Sequence, residues 1–185
     1  MSSVELIGTG WLTNKLAYSS CIKPHFKEDD RNEIFDGNIF VYKKRVCCDD
    51  FLGSIPVQIK SRTVKNHHKD TTTFSYIKSH LQAFYQENGV ILFILENDSK
   101  KHTKAFIKVL RPIDLKIILS SLGSKKSISV SHKFIDLDDL PKLENECKNF
   151  LIQRDLQSST KEYSLTPEQA KIIFFRFDPG EFDPI

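Results

Sequence analysis

Apolar positions change their period several times along this chain, and each change marks an element. The run Val90-Ile91-Leu92-Phe93-Ile94-Leu95 is continuously apolar over a strand's length, the pattern of a strand covered on both faces. Residues 127–135 alternate as Ser-Ile-Ser-Val-Ser-His-Lys-Phe-Ile, which predicts a half-buried strand. Residues 35–43 and 55–62 are two further runs of β-formers. They are joined by a charged hairpin that ends in the polar, glycine-containing link Cys47-Cys48-Asp49-Asp50-Phe51-Leu52-Gly53-Ser54. Thr71–Tyr76 is β-rich and reads as a third strand or an ordered approach to the next helix, and Lys104–Leu110 reads as a strand. Helical spacing covers roughly residues 8–20, with Pro24 barring any continuation. It returns at Ile77, Leu81 and Phe84, with Gly89 as a stop, at 113–122 behind Pro112, and at 138–156. Residues 27–33 read as a polar loop. The predicted order is helix, three strands, helix, strand, an α/β arrangement.

At 185 residues, with 39% hydrophobic content and 14 phenylalanines, the chain is long and apolar enough to bury a core. No segment approaches the ~18–20 apolar residues that cross a bilayer, and the N-terminus has no basic-then-apolar leader pattern. Cys21, Cys47, Cys48 and Cys147 lack metal-ligand spacing and read as reduced thiols, so a cytoplasmic location and no membrane partner are expected.

The pattern places chemistry at one point. Asp36 stands at the entry of one strand, while Gln58 and Lys60 are two residues apart on the next and so face the same way. A neighbouring strand can bring the carboxylate to the amide and the amine. Carboxylate, amide oxygen and ammonium together suit a hard divalent cation beside a scissile phosphate.

Asp36-Gly37 followed by Val57-Gln58-Ile59-Lys60-Ser61-Arg62 resembles the PD-(D/E)xK nuclease superfamily in its Gln-x-Lys variant, closest to Mrr-like and bacterial defence-associated N-terminal nuclease domains. The resemblance spans roughly residues 10–120. It implies a restriction-endonuclease-like αβββαβ core with a mixed central sheet and C-terminal additions. It also implies metal-dependent hydrolysis of DNA phosphodiesters, with RNA left open, as the effector part of an anti-phage or restriction system. Asp36, Gln58 and Lys60 would be catalytic. Asp36, the Gln58 oxygen and the Ile59 carbonyl would hold Mg2+ or Mn2+, and Lys60 would position the attacking water or stabilise phosphate charge. A homodimer or partner subunits of a defence complex are implied as well. The family usually carries a Glu on its first helix; the position expected for it here holds Asn14, with Glu5 eligible if the helix starts earlier. Two acids replaced by amides, Asn14 and Gln58, also fit an alternative in which the fold persists as an inactive nucleic-acid-binding or assembly module.

Charge sharpens the picture locally. A net charge of +3 hides a basic stretch around the candidate site, and Lys43, Lys44, Arg62 and Lys65 are the expected nucleic-acid contacts. Residues 135–170 lean acidic. His67-His68 beside Asp70 is read as a surface loop, because adjacent histidines point in opposite directions, and His25 with Asp29 and Asp30 is read as a solvated acidic loop. There is no Gly-x-Ser-x-Gly elbow, phosphate-binding Gly-Lys loop or Gly-x-Gly-x-x-Gly fingerprint, which argues against hydrolase-elbow and nucleotide-binding enzymes. Residues 1–157 are assigned to the nuclease-like domain. Residues 158–185 are assigned to a linker and C-terminal tail, whose aromatic run Phe174-Phe175-Arg176-Phe177 is expected either to pack back on the domain or to meet a further domain of a longer protein.

Overall fold

A computed structural model describes residues 3–27, 34–98 and 102–158. The elements run α1 (Ser3–Leu16), β1 (Ile22–Phe26), β2 (Gly37–Tyr42), β3 (Phe51–Thr63), β4 (Thr71–Ile77), α2 (Lys78–Gln86), β5 (Val90–Asn97), β6 (Thr103–Leu110), α3 (Pro112–Leu122), β7 (Ser127–Ile135) and α4 (Leu140–Ser158). Seven strands form one mixed sheet in the order β1-β2-β3-β5-β6-β7-β4. β3 and β5 are parallel, joined across the face by β4 and α2, and the other pairs are antiparallel. Residues 159–185, the expected tail, lie outside the described residues, as do Asp29 and Asp30.

The period-two alternation decides which helices cover which face. Ile55, Val57 and Ile59 of β3 and Ile91, Phe93 and Leu95 of β5 pack with Leu12 and Leu16 of α1 and with Leu143, Cys147 and Phe150 of α4. The opposite face of β5, Val90 and Leu92, packs with Leu81 and Phe84 of α2 and Leu115 and Leu122 of α3. Every residue of β5 is buried, as its continuous apolar run requires. The result is a sheet between two pairs of helices.

Two expectations are corrected. His25, read as part of a solvated loop, lies in the strand β1: Pro24 bars a helix, yet in this edge strand its missing N–H costs no ladder bond. Thr71–Tyr76 is a strand, but its partner is β7 at the far edge of the sheet, not the strands around Asp36. Its β-rich composition could not show its partner.

The sheet is strongly curled. Arg62 on β3 donates to the Thr72 hydroxyl on β4 and to Glu96 on β5 (2.6 Å), although three strands separate β3 from β4 in sheet order. Glu96 is fully buried. Burial pushes its carboxyl up, but the Arg62 bond and the His68 N–H (2.9 Å) outweigh this and hold it below the usual carboxylate range.

A second buried polar pair pins β4 to β7. His132 Nδ1 lies 3.0 Å from the Val130 carbonyl, which can only accept, so Nδ1 carries the proton and Nε2 accepts from the Tyr76 hydroxyl at 3.0 Å. Burial pushes His132 down to about 4. The unfolded chain therefore takes up a proton below pH ~6.5 that the folded chain refuses until about pH 4, and stability falls as pH drops through that window. Denaturant titrations at pH 7, 6, 5 and 4 should show this loss, with His132 contributing on the order of 3 kcal/mol at most. The His132→Gln variant should lack that component, and an acid limb identical to the parent's would contradict it.

Candidate active site

β2 stops pairing with β3 at the Gly37–Val57 position, so the rest of β3 has a free backbone edge on that side. Asp36, the residue just before β2, fills the first vacated place. Its N–H donates to the Val57 carbonyl (2.9 Å), and its Oδ2 accepts from the Ile59 N–H at 2.6 Å. Gly37 makes this turn feasible. Its φ is +139°, and a Cβ there would sit 2.3 Å from the His25 carbonyl oxygen on β1.

The Ile59 N–H bonds Asp36, and in a strand the carbonyl of the same residue points the same way as its N–H. The Ile59 carbonyl is therefore directed to the Asp36 side. Gln58 and Lys60 share the face covered by α2, as the spacing of two predicted. Gln58 is 2% exposed; its Nε2 donates to the Ile34 carbonyl (2.8 Å), while its Oε1 is buried with no hydrogen-bond partner. A buried acceptor of this kind costs about 1–3 kcal/mol unless something occupies it. The amide bond to Ile34 fixes the flip, so the oxygen is the atom left over.

Burial raises the Asp36 carboxyl above its usual value, opposed by the Ile59 N–H and the Lys60 ammonium, and the Glu5 carboxylate raises it further. Asp36, Gln58 and Lys60 therefore share one locality, and α1 contributes an acid to it. That acid is Glu5, not Asn14. The helix begins at Ser3, so Asn14 stands nine residues on, about 13 Å further along α1. There Asn14 lines a groove of about 270 Å³ with Trp11, Tyr18, Leu137 and Leu140. The sequence did carry a signal for Glu5: Ser2-Ser3-Val4-Glu5 has the spacing of a capping box, which would start the helix early.

The expected basic contacts divide. Arg62 shares the face of Lys60, but its guanidinium is held by Glu96. Lys43 and Lys44 sit at the far end of the β2–β3 hairpin, roughly 20 Å from Asp36 at ~3.3 Å per strand residue, and do not flank the site. Lys65 lies beyond the end of β3 and is exposed. Clustering in sequence misled here because a hairpin carries its tip away from its base. His80, in the first turn of α2, was not anticipated; burial and the Lys60 ammonium hold it below the usual imidazole range.

Among the described residues no group of three or more His, Cys, Asp or Glu is placed to hold a metal. The donors here are of another kind: one carboxylate, one orphaned amide oxygen and one strand carbonyl, with a second carboxylate on α1. All are hard oxygen donors and fit Mg2+ or Mn2+. Among the described residues no helix is long and apolar enough to cross a membrane. No protein-family model, curated protein or solved structure matches this chain.

The raised Asp36 makes a direct test. At pH 7–8 without metal, Asp36→Asn should melt higher than the parent, because a desolvated charge beside Glu5 is removed while the Ile59 bond is kept. The parent should gain melting temperature on adding Mg2+ or Mn2+, and both Asp36→Asn and Glu5→Gln should lose that gain. Asn14→Glu should respond to metal as the parent does; a larger response would return the helix acid to position 14.

Proposed function

We propose that this chain is a metal-dependent nuclease domain that hydrolyses DNA phosphodiester bonds. The observation carrying this reading is the buried, unpartnered Gln58 Oε1 beside a desolvated Asp36 that is already fastened to the Ile59 backbone. The order α1-β1-β2-β3-α2-β5, an antiparallel meander followed by a helix and a strand parallel to β3, supports a restriction-endonuclease-like αβββαβ core, with β4, β6, β7, α3 and α4 as additions. Glu5 removes one of the two grounds for the alternative of an inactive module, the missing helix acid at Asn14; the other, an amide at Gln58 in place of an acid, stands.

Asp36, the Gln58 oxygen and the Ile59 carbonyl would hold the cation, with Glu5 on its α1 side. A bound Mg2+ or Mn2+ supplies Lewis-acid polarisation of the phosphate and a more acidic water. Gln58 is fixed through its amide, so its oxygen needs no reordering to bind. Lys60 places a positive charge on the same face, where it stabilises the charge that develops on the phosphate oxygens. Burial of Gln58 against Ile34 strengthens the interaction of its oxygen with a bound cation.

Supercoiled plasmid and linear duplex incubated with Mg2+ or Mn2+, and then with chelator, test the proposal. Cleavage should require metal, and Asp36→Ala and Lys60→Ala should each lower it by about 100-fold or more. Lys43→Ala with Lys44→Ala should change it by less than about threefold at moderate salt, since those lysines lie at the hairpin tip. Binding without cleavage in every metal would instead support the inactive module.

A further inference from the structure

We infer that His80 is a further catalytic residue of this site, accepting the proton of the water that attacks the phosphodiester; this rests on the nuclease reading above. His80 belongs to the first turn of α2, a helix whose Phe84 meets Phe35 beside Asp36. Its ring lies 6.4 Å from that of Phe84, one turn on, and the Phe84 ring lies 5.6 Å from Phe35, the neighbour of Asp36. Ile34, on the other side of Phe35, receives the Gln58 amide. α2 is thus keyed to the segment that delivers Asp36, and His80 stands on the Lys60 side of the site while Glu5 approaches from the α1 side.

His80 is half-buried, and is neither enclosed in the core like His132 nor in contact with a carboxylate like His68. Among the described residues Lys60 on β3 is the charge that acts on His80; of the other elements packed on α2, β4 carries no charged residue, and Asp114 and Lys116 of α3 are not among the charges acting on the ring. Burial and that ammonium keep the ring neutral near pH 7, the form that can take a proton. The same ammonium cannot serve as a base while protonated, so charge stabilisation and proton acceptance fall to two residues.

In the step, the water oxygen bonds to phosphorus and one of its protons passes to the unprotonated ring nitrogen of His80. The bond from phosphorus to the leaving sugar oxygen breaks, its electron pair staying on that oxygen, which takes a proton from solvent. The imidazolium then returns its proton to bulk water.

Cleavage of a labelled duplex by the parent, His80→Ala, His80→Gln and Lys60→Ala is followed in Mg2+ from pH 5 to 9, with duplex binding measured separately in Ca2+. We expect kcat to fall about 50-fold or more in both His80 variants, with KM and binding within about twofold and the acid limb of the pH profile lost. A His80→Ala kcat within about twofold of the parent, with Lys60→Ala inactive, overturns the role of His80 and leaves the nuclease reading intact. A loss of binding equal to the loss of rate marks a structural role and overturns it as well. No cleavage by the parent in any metal removes the nuclease reading and this role together. Independently of activity, the His80 ring titration, followed by NMR in metal-free protein, should move to higher pH in Lys60→Met; an unchanged titration places His80 outside the site.

Discussion

The Asp36 carboxylate occupies the hydrogen-bonding place that β2 vacates on β3, and the candidate site depends on that bond. If β2 continued pairing past Val57, the Ile59 N–H would meet a backbone carbonyl and the edge of β3 would be closed. Because the chain turns away at Gly37, a side chain does the work of a strand. The edge then shows a carboxylate, an amide oxygen and a carbonyl instead of a ladder. Gly37 permits this because its positive φ and the nearby β1 backbone leave no room for a side chain.

The energetics of the site point away from stability. A desolvated carboxylate, an acid on α1 whose charge opposes it, and an amide oxygen without a partner each oppose folding when nothing is bound. The surrounding fold offsets these costs through two apolar layers and the fully buried β5. Elsewhere in the interior Glu96 is met by Arg62, His68 and Thr72, and His132 by Tyr76 and Val130, while Ser61 Oγ, His67 Nε2, Asn97 Nδ2 and Arg111 Nε are buried without a partner. What sets the edge of β3 apart is that an unmet amide oxygen and a desolvated carboxylate occur there together.

Local pattern fixed most of the elements on its own. The period-two and continuous apolar runs marked β2, β3, β5, β6 and β7, and the 3.6-residue spacing with Gly89 and Pro112 marked α2 and α3. Spacing of two put Gln58 and Lys60 on one face, and the Asp-Gly pair marked the entry of β2. These features are local, since a strand's pleat and a glycine's freedom act within a few residues. Partner choice is not local. Nothing in Thr71–Tyr76 says that it pairs with β7, nor that the sheet curls until Arg62 meets Thr72.

The same division runs through the site. The sequence by itself determined that a carboxylate, an amide and an ammonium would be offered by neighbouring strands, because side-chain direction along a strand follows from backbone geometry. Only the tertiary structure decided which acid joins them. It lay with Glu5 because the helix starts a turn earlier than its apolar spacing suggested, and the packing of α1 on β3 then sets which turn meets the open edge. Tertiary structure also separated Lys43 and Lys44 from the site, since the β2–β3 hairpin carries its tip away from Asp36, and it set His80 on a helix whose Phe84 meets Phe35 in a tilted ring contact. Contacts between residues far apart in the chain depend on how whole elements pack, and no window of sequence holds that information.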